Sequence, residues 1–222
     1  MATSYIQEGD TIEFANTGAA IDSGAVVVLG YRQLGVALVD IAATSGTGAV
    51  KTAGVFELAK NTSDALVAGQ KVWWDSTAKE LINAPAINAW FIGYAVAAAG
   101  ASDTTGKVQL APFAEEGQRV LTLAATGAQT LNVGDFGSGD LIVFAPNTAA
   151  QTVNLPGVAT IPPGAKLFVK KTDATAQAVT LDPNSSEQIA GGSTFATIDA
   201  NNDLAQFVST GAAWVLMHST IA

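Results

Sequence analysis

The spacing of its short apolar runs is the feature that most constrains this chain. Segments with strand-like alternation recur at intervals of roughly eight to twelve residues, the spacing typical of a β-sandwich or barrel, and Gly, Asn, Asp or Ser separate them. No segment keeps a 3.6-residue apolar period over the roughly ten to twelve residues that indicate an α-helix. The chain is therefore predicted to be all-β.

The alternation predicts individual strands in both halves of the chain. In the first half these are Asp10–Phe14, Ala25–Leu29, Gly35–Ile41, Val55–Ala59, Gln70–Trp74, Glu80–Asn83, Trp90–Ala98 and Lys107–Ala111. In the second half they are Val120–Leu123, Thr130–Val133, Asp140–Phe144, Thr152–Leu155, Lys166–Lys170, Ala178–Leu181, Thr194–Ile198, Leu204–Ser209 and Trp214–His218. Gly46–Thr52 is predicted to be a glycine-rich hairpin turn, and the polar connector Asn61–Ala68 has the capping residues for one helical turn.

A change of composition near residue 112 predicts two domains. Pro112 ends a strand, and Glu115-Glu116-Gly117 has the composition of an exposed turn. The expected organisation is an N-terminal arm over residues 1–10, a β-domain over 11–113, a linker over 114–119 and a second β-domain over 120–222. We expect both domains to be small β-sandwiches or barrels.

Charge is scarce in this chain, and that limits its partners. Charged residues make up 13% of the sequence and hydrophobic residues 49%, so part of the apolar surface is expected to be covered by other subunits. Ten Lys and Arg against a net charge of −9 predict no direct binding to nucleic acid. The long uncharged stretches are interrupted by Pro and Asn, so no membrane span is predicted.

The sequence offers no assembly of residues for catalysis. It has no cysteine and one histidine, His218, so neither a zinc site nor a nucleophile–histidine pair can be built. Asp199–Asp203 presents oxygen ligands, but Asp and Asn serve turns more often than they bind calcium. We therefore predict no catalytic residue, no metal and no cofactor.

An ordered series of motifs between Tyr5 and Phe113 resembles the phage capsid decoration (cement) proteins. The series comprises Tyr5-Ile-Gln-Glu-Gly-Asp10, Ser23-Gly-Ala-Val-Val-Val28, Gly35-Val-Ala-Leu38, Gly54-Val-Phe-Glu-Leu58, Ala68-Gly-Gln-Lys-Val-Trp-Trp-Asp75, Ile92-Gly-Tyr-Ala-Val-Ala97 and Val108-Gln-Leu110. The order and spacing of these motifs, rather than any single one, define the resemblance.

The resemblance implies a structural protein of the virion rather than an enzyme. It implies a homotrimer, made in the cytoplasm of the host bacterium, that binds the major capsid protein on the capsid exterior at threefold or quasi-threefold sites and stabilises the head. The capsid-binding residues implied are those of the N-terminal arm: Ala2, Thr3, Ser4, Tyr5, Ile6, Gln7 and Glu8.

The second half resembles β-modules of phage head fibres and tail fibres. The similar segments are Asp140–Phe144, Thr152–Pro156, Gly164–Asp173, Ala178–Leu181 and Leu204–Trp214. They imply a projecting domain with a possible host-surface ligand. The alternative function is a fibre-type adhesin for host carbohydrate or receptor, for which Phe136, Phe195 and Trp214 are the candidate aromatic residues.

Overall fold

The structure is a computed structural model, and it describes residues 9–30, 33–111, 118–136, 140–146 and 148–221. Within these ranges there are 18 β-strands and two short 3-10 turns, so the prediction of an all-β fold is confirmed. No helix in the described ranges has the length and apolar character that crossing a membrane demands.

The chain divides into two compact units. The first consists of Met1–Ala84 and Trp90–Ala114, and the second of Pro85–Ala89 and Glu115–Ala222. A five-residue segment from the first half of the sequence is thus part of the second unit.

The first unit begins with a four-stranded antiparallel sheet. Its strands are β1 (Thr11–Ala15), β2 (Val26–Val28), β3 (Leu34–Ala37) and β4 (Thr47–Lys51). Their order in the sheet is β1-β4-β3-β2, so β1 and β2 are its edges.

A five-stranded sheet completes the first unit. Its strands are β5 (Gly54–Ala59), β6 (Lys71–Asp75), β7 (Glu80–Ile82), β8 (Ala89–Ala95) and β9 (Thr105–Leu110), in the order β5-β9-β8-β6-β7. A bridge between Lys60 and Leu81 joins the end of β5 to β7, the opposite edge strand. This sheet therefore curls until its two edges meet at one end, as in a barrel.

The four-stranded sheet of the first unit is apolar on both faces, because it contributes to two cores. Leu34 and Val36 join the core of the five-stranded sheet, which includes Trp74. Val27 and Val50 belong to a smaller cluster on the other face, against which Ile12, Phe14, Ile21 and Leu29 pack. Burial on both faces explains why β3 is an unbroken apolar run rather than an alternating one.

The second unit contains two sheets, and its first six strands alternate between them. One sheet has the order β10-β12-β14-β17-β18, with strands Arg119–Thr122, Asp140–Ala145, Lys166–Lys171, Leu204–Ser209 and Trp214–Thr220. The other has the order β11-β13-β15-β16, with strands Gln129–Thr130, Gln151–Asn154, Val179–Asp182 and Phe195–Ile198. β10, β12 and β14 are mutually parallel, and so are β11, β13 and β15; β16, β17 and β18 close the unit in antiparallel pairing.

Each sheet of the second unit buries one face. Leu141 and Val143 of β12 pair with Leu167 and Val169 of β14, and all four are fully buried. The two sheets are in contact where the ring of Phe195 in β16 meets that of Phe207 in β17 edge-on, at 5.0 Å between centroids.

Two local predictions for the first unit were wrong. Gly46–Thr52 is not a hairpin turn, because residues 47–51 form β4 in the interior of the sheet. Asn61–Ala68 contains no helical turn: the Asn61 side chain accepts the amide N–H of Ser63 at 2.8 Å, and Leu66 pairs with Ala99.

Candidate functional site

The predicted capsid-binding residues Ala2–Glu8 lie outside the described residues, but the point where the arm joins the first unit is described. The Gly9 carbonyl accepts the Thr52 hydroxyl at 2.8 Å, and the Asp10 carbonyl accepts the Thr52 amide at 2.9 Å. Gly9 and Asp10 therefore continue the line of β1 beside the end of β4.

An ion pair also holds this junction. The Asp10 carboxylate accepts a hydrogen bond from the Lys51 ammonium group. That hydrogen bond lowers the pKa of Asp10 below its usual value. The pair is exposed to solvent, so it orients the junction but adds little to stability.

Large apolar side chains are exposed on both units. A monomer commonly shows scattered apolar residues, and a surface that binds partners shows more of them. In the first unit the exposed ones are Val28, Leu38, Val39, Val55, Val67 and Val96. In the second unit they are Val120, Val215 and Met217. These side chains are available for contacts with other molecules.

The second unit has a polar groove at the end of its four-stranded sheet, which contains β11, β13, β15 and β16. Thr130, Asn154 and Asp182 lie in register at the carboxyl ends of β11, β13 and β15. The Asn154 amide donates to the Thr130 hydroxyl at 3.2 Å. With Pro156 and Ser185 they line a groove of about 370 Å³, which is a concave surface with hydrogen-bonding groups.

The acidic residues singled out for metal binding serve the backbone. The Asp203 carboxylate accepts the amides of Asp199 and Ala200 at 3.0 and 2.8 Å, and so caps its own turn. The described part of the chain contains no group of three or more His, Asp or Glu that could hold a metal ion. His218 is exposed on β18 and pairs with Gln206 of β17.

The three aromatic residues considered for an adhesin do not form an exposed platform. Phe136 and Trp214 are 0% and 1% exposed, and their rings stack with 5.5 Å between centroids. Phe195 is half-buried against Phe207. These rings fill the interior of the second unit, so none of the three offers a free face for stacking on a sugar.

A buried arginine that sequence reasoning missed organises the start of the second unit. Arg119, the last residue of the predicted linker, is 1% exposed. Its guanidinium donates to the carbonyls of Ala89 at 2.9 Å, Gly134 at 2.6 Å and Ala86 at 2.7 Å, and lies 3.7 Å from the Asp135 carboxylate. The sequence contains one signal of this burial, because Arg119 alternates in step with the apolar residues Leu121 and Leu123 and so lies on the same face of the strand.

The described residues form an all-β fold of two units, with apolar and polar surfaces that are available for contact. Residues 6–110 match the model of a family described as phage cement protein. The first half of the chain therefore matches the phage cement protein family, as its resemblance implied. The family indicates a structural protein of the phage virion that binds the capsid. A comparison with curated proteins gives no match for this chain.

Proposed function

We propose that this protein decorates the outside of a phage head as a homotrimer at threefold or quasi-threefold sites, and so stabilises the capsid. The family match over residues 6–110 is the observation on which the proposal depends. Residues 2–8 act as capsid-binding arms, joined to the first unit at the Gly9–Thr52 and Asp10–Lys51 contacts.

The surface composition of the chain favours a trimer. With 13% charged residues and valine and leucine side chains exposed on the first unit, association with copies of itself removes apolar surface from water. Three arms on one trimer bind with an avidity that a single arm lacks, because the second and third contacts are intramolecular.

The second unit, in this proposal, projects away from the capsid. Its groove at Thr130, Asn154 and Asp182 favours an alternative function, in which this unit binds host carbohydrate or another receptor. Hydroxyl, amide and carboxylate groups are the partners that sugar hydroxyls require. The burial of Phe136 and Trp214 removes the aromatic stacking on which such sites often rely, so capsid decoration remains the leading proposal.

Binding to phage heads tests the proposal. Purified protein is expected to have a mass of three times 22.5 kDa by light scattering, and to co-sediment with expanded heads that lack it. Immature shells are expected to bind it poorly.

The matched control is the same protein without residues 1–8. It retains Gly9 and Asp10 with their contacts to Thr52 and Lys51, and it should bind heads more weakly. A full-length protein that is monomeric and does not bind expanded heads would refute the proposal.

A further inference from the structure

The first strand of the chain has an open edge. Among the described strands, β1 (Thr11–Ala15) has one neighbour in its sheet, β4. The amide of Thr52 donates to Asp10 at 2.9 Å, and the amide of Asn16 donates to Gly46 at 2.8 Å. In antiparallel pairing, hydrogen-bonded residues alternate along the strand. The even-numbered residues of β1 therefore point their amides and carbonyls at β4, and the odd-numbered ones point theirs away.

The outward groups of β1 are available. In the described part of the chain no hydrogen bond occupies the outward amides of Glu13 and Ala15 or the carbonyl of Thr11. The Thr11 amide lies near the Asp10 carboxylate, whose pKa it helps to lower. A strand edge of this kind is a template on which another extended chain can pair.

The surface beside this edge suits an added strand. A groove of about 340 Å³ lies over the face of the β1–β4 pair, at Thr11, Glu13, Thr47, Gly48 and Ala49. The small residues there leave room for a side chain that leans over β1 from an added strand. The Glu13 carboxylate is exposed and has no ion-pair partner in the described residues.

We propose that an extended segment of the capsid polypeptide adds to β1 as a fifth strand of this sheet, with a basic residue facing Glu13. The inference rests on the proposed function, because it takes the capsid as the partner. Extended backbone is the ligand that satisfies alternating amides and carbonyls at strand spacing, and Glu13 selects a positive charge beside it.

Two other occupants fit the edge less well. Gly9 and Asp10 continue in the line of β1 beside Thr52, so the described residues that precede β1 do not return along its open edge. A second copy pairing β1 with β1 about a twofold axis through Glu13 would set two Glu13 carboxylates opposite each other, and like charges in that position are destabilising.

The Glu13→Pro variant tests the proposal. Proline removes the outward amide of residue 13 and leaves the bonds between β1 and β4 intact, because proline is tolerated where the missing N–H faces away from the sheet. Loss of one such hydrogen bond is expected to weaken binding to expanded heads lacking the protein by about tenfold per site. Glu13→Gln, which removes the charge and keeps the amide, should weaken it less.

The opposite edge of the same sheet supplies a matched control. On β2, the amide of Leu29 donates to Gln33 at 2.8 Å and the carbonyl of Ala25 accepts the amide of Ala37 at 2.9 Å. Val28 therefore points its amide away from the sheet, as Glu13 does on β1. Because Val28 is also one of the exposed apolar side chains, its proline variant is compared with Val28→Ala. Val28→Pro should bind heads as tightly as Val28→Ala does.

The outcomes separate this inference from the proposed function. If the unmodified protein does not bind expanded heads, the proposed function is wrong. If it binds and a folded Glu13→Pro variant binds as tightly, the strand-addition proposal is overturned while capsid binding stands. A loss of self-association in Glu13→Pro without heads would assign the edge to a second copy, and also overturns it.

Hydrogen exchange of the unmodified protein provides a second readout that needs no variant. The amides of Glu13 and Ala15 should exchange rapidly in the free protein and become protected on heads. Unchanged exchange at both residues in the bound state would contradict strand addition even if Glu13→Pro failed to fold.

Discussion

Arg119 is a buried charged residue whose loss is expected to have a large effect on stability. Its guanidinium has Ala86, Ala89 and Gly134 as carbonyl partners and Asp135 as its counter-charge. Removing a buried charge while its partners remain typically costs about 3–5 kcal/mol. Arg119 occupies an alternate position with Leu121 and Leu123, which predicts that it is buried on the apolar face of its strand. Its hydrogen-bond partners are distant in sequence, so the sequence does not predict them.

We predict that Arg119→Ala lowers the free energy of unfolding by about 3–5 kcal/mol, because it removes the counter-charge of the Asp135 carboxylate and the hydrogen-bond donor of three carbonyls. Urea unfolding followed by circular dichroism measures the change. Lys166→Ala is the control, because the Lys166 side chain is exposed and its Nζ lies 3.7 Å from Oδ2 of Asp140. Loss of this exposed ion pair should change the free energy of unfolding by less than about 1 kcal/mol. Equal effects for the two variants would contradict the role given to Arg119.

The Asp10–Lys51 pair makes a prediction about pH. Because the hydrogen bond from Lys51 lowers the pKa of Asp10, the pair is intact at neutral pH and is lost as the pH falls through that lowered pKa. Lys51→Met should therefore raise the pKa of Asp10 toward its usual value. A carbon-detected NMR titration of the Asp10 carboxyl measures this, and an unchanged pKa in the variant would show that Lys51 is not the cause.

At the scale of the elements, period-2 alternation located most strands to within one or two residues. Leu204–Ser209 was predicted with the bounds that the structure has, and Asp140–Phe144 lacked only Ala145. β4 was missed because two glycines were interpreted as turn residues. Gly48 is instead required by packing, since a Cβ there would lie 2.6 Å from Cγ1 of Ile41, and that contact is not visible in the local sequence.

Gly93 is the glycine at which a strand depends most on the absence of a side chain. In β8 its φ is +152°, and a Cβ would lie 1.9 Å from the Gln109 carbonyl of β9. Gly93→Ala should lower the free energy of unfolding by about 2–6 kcal/mol, because backbone strain and overlap each cost roughly 1–3 kcal/mol. Chemical denaturation of the purified variant measures the loss.

Gly69 provides the control that separates strain from overlap. Its φ is +82°, and nothing lies within 4 Å of a Cβ built on it. Gly69→Ala should cost about 1–2 kcal/mol, the strain alone. If Gly93→Ala were no worse than Gly69→Ala, the close approach of β9 would not be limiting.

At the scale of the whole molecule, the second unit is not continuous in sequence. Pro85–Ala89 belongs to it, and within that segment Ala86 and Ala89 supply two of the carbonyls that accept from Arg119. Nothing in the composition of this segment predicts that it belongs to the second unit, since a short stretch rich in Ala and Pro is compatible with any loop.

A fragment of residues 118–222 is therefore expected to be less stable than the same unit in the full chain. It lacks Ala86 and Ala89, so the Arg119 guanidinium loses two of its three carbonyl acceptors. We expect Arg119→Leu to destabilise this fragment less than it destabilises the intact protein, as measured by urea midpoints. An equal effect in both would mean that Pro85–Ala89 contributes nothing to the burial of this charge.

The sequence by itself determined the all-β class, the positions of most strands and the resemblance of the first half to phage cement proteins. All three depend on local signals: side chains alternate with a period of two, and turn residues interrupt them. Only the tertiary structure decided the parallel pairing of β10, β12 and β14, the membership of Pro85–Ala89 in the second unit and the open edge of β1. These depend on which backbone groups meet across long separations, and the alternation of a single strand does not specify its partner.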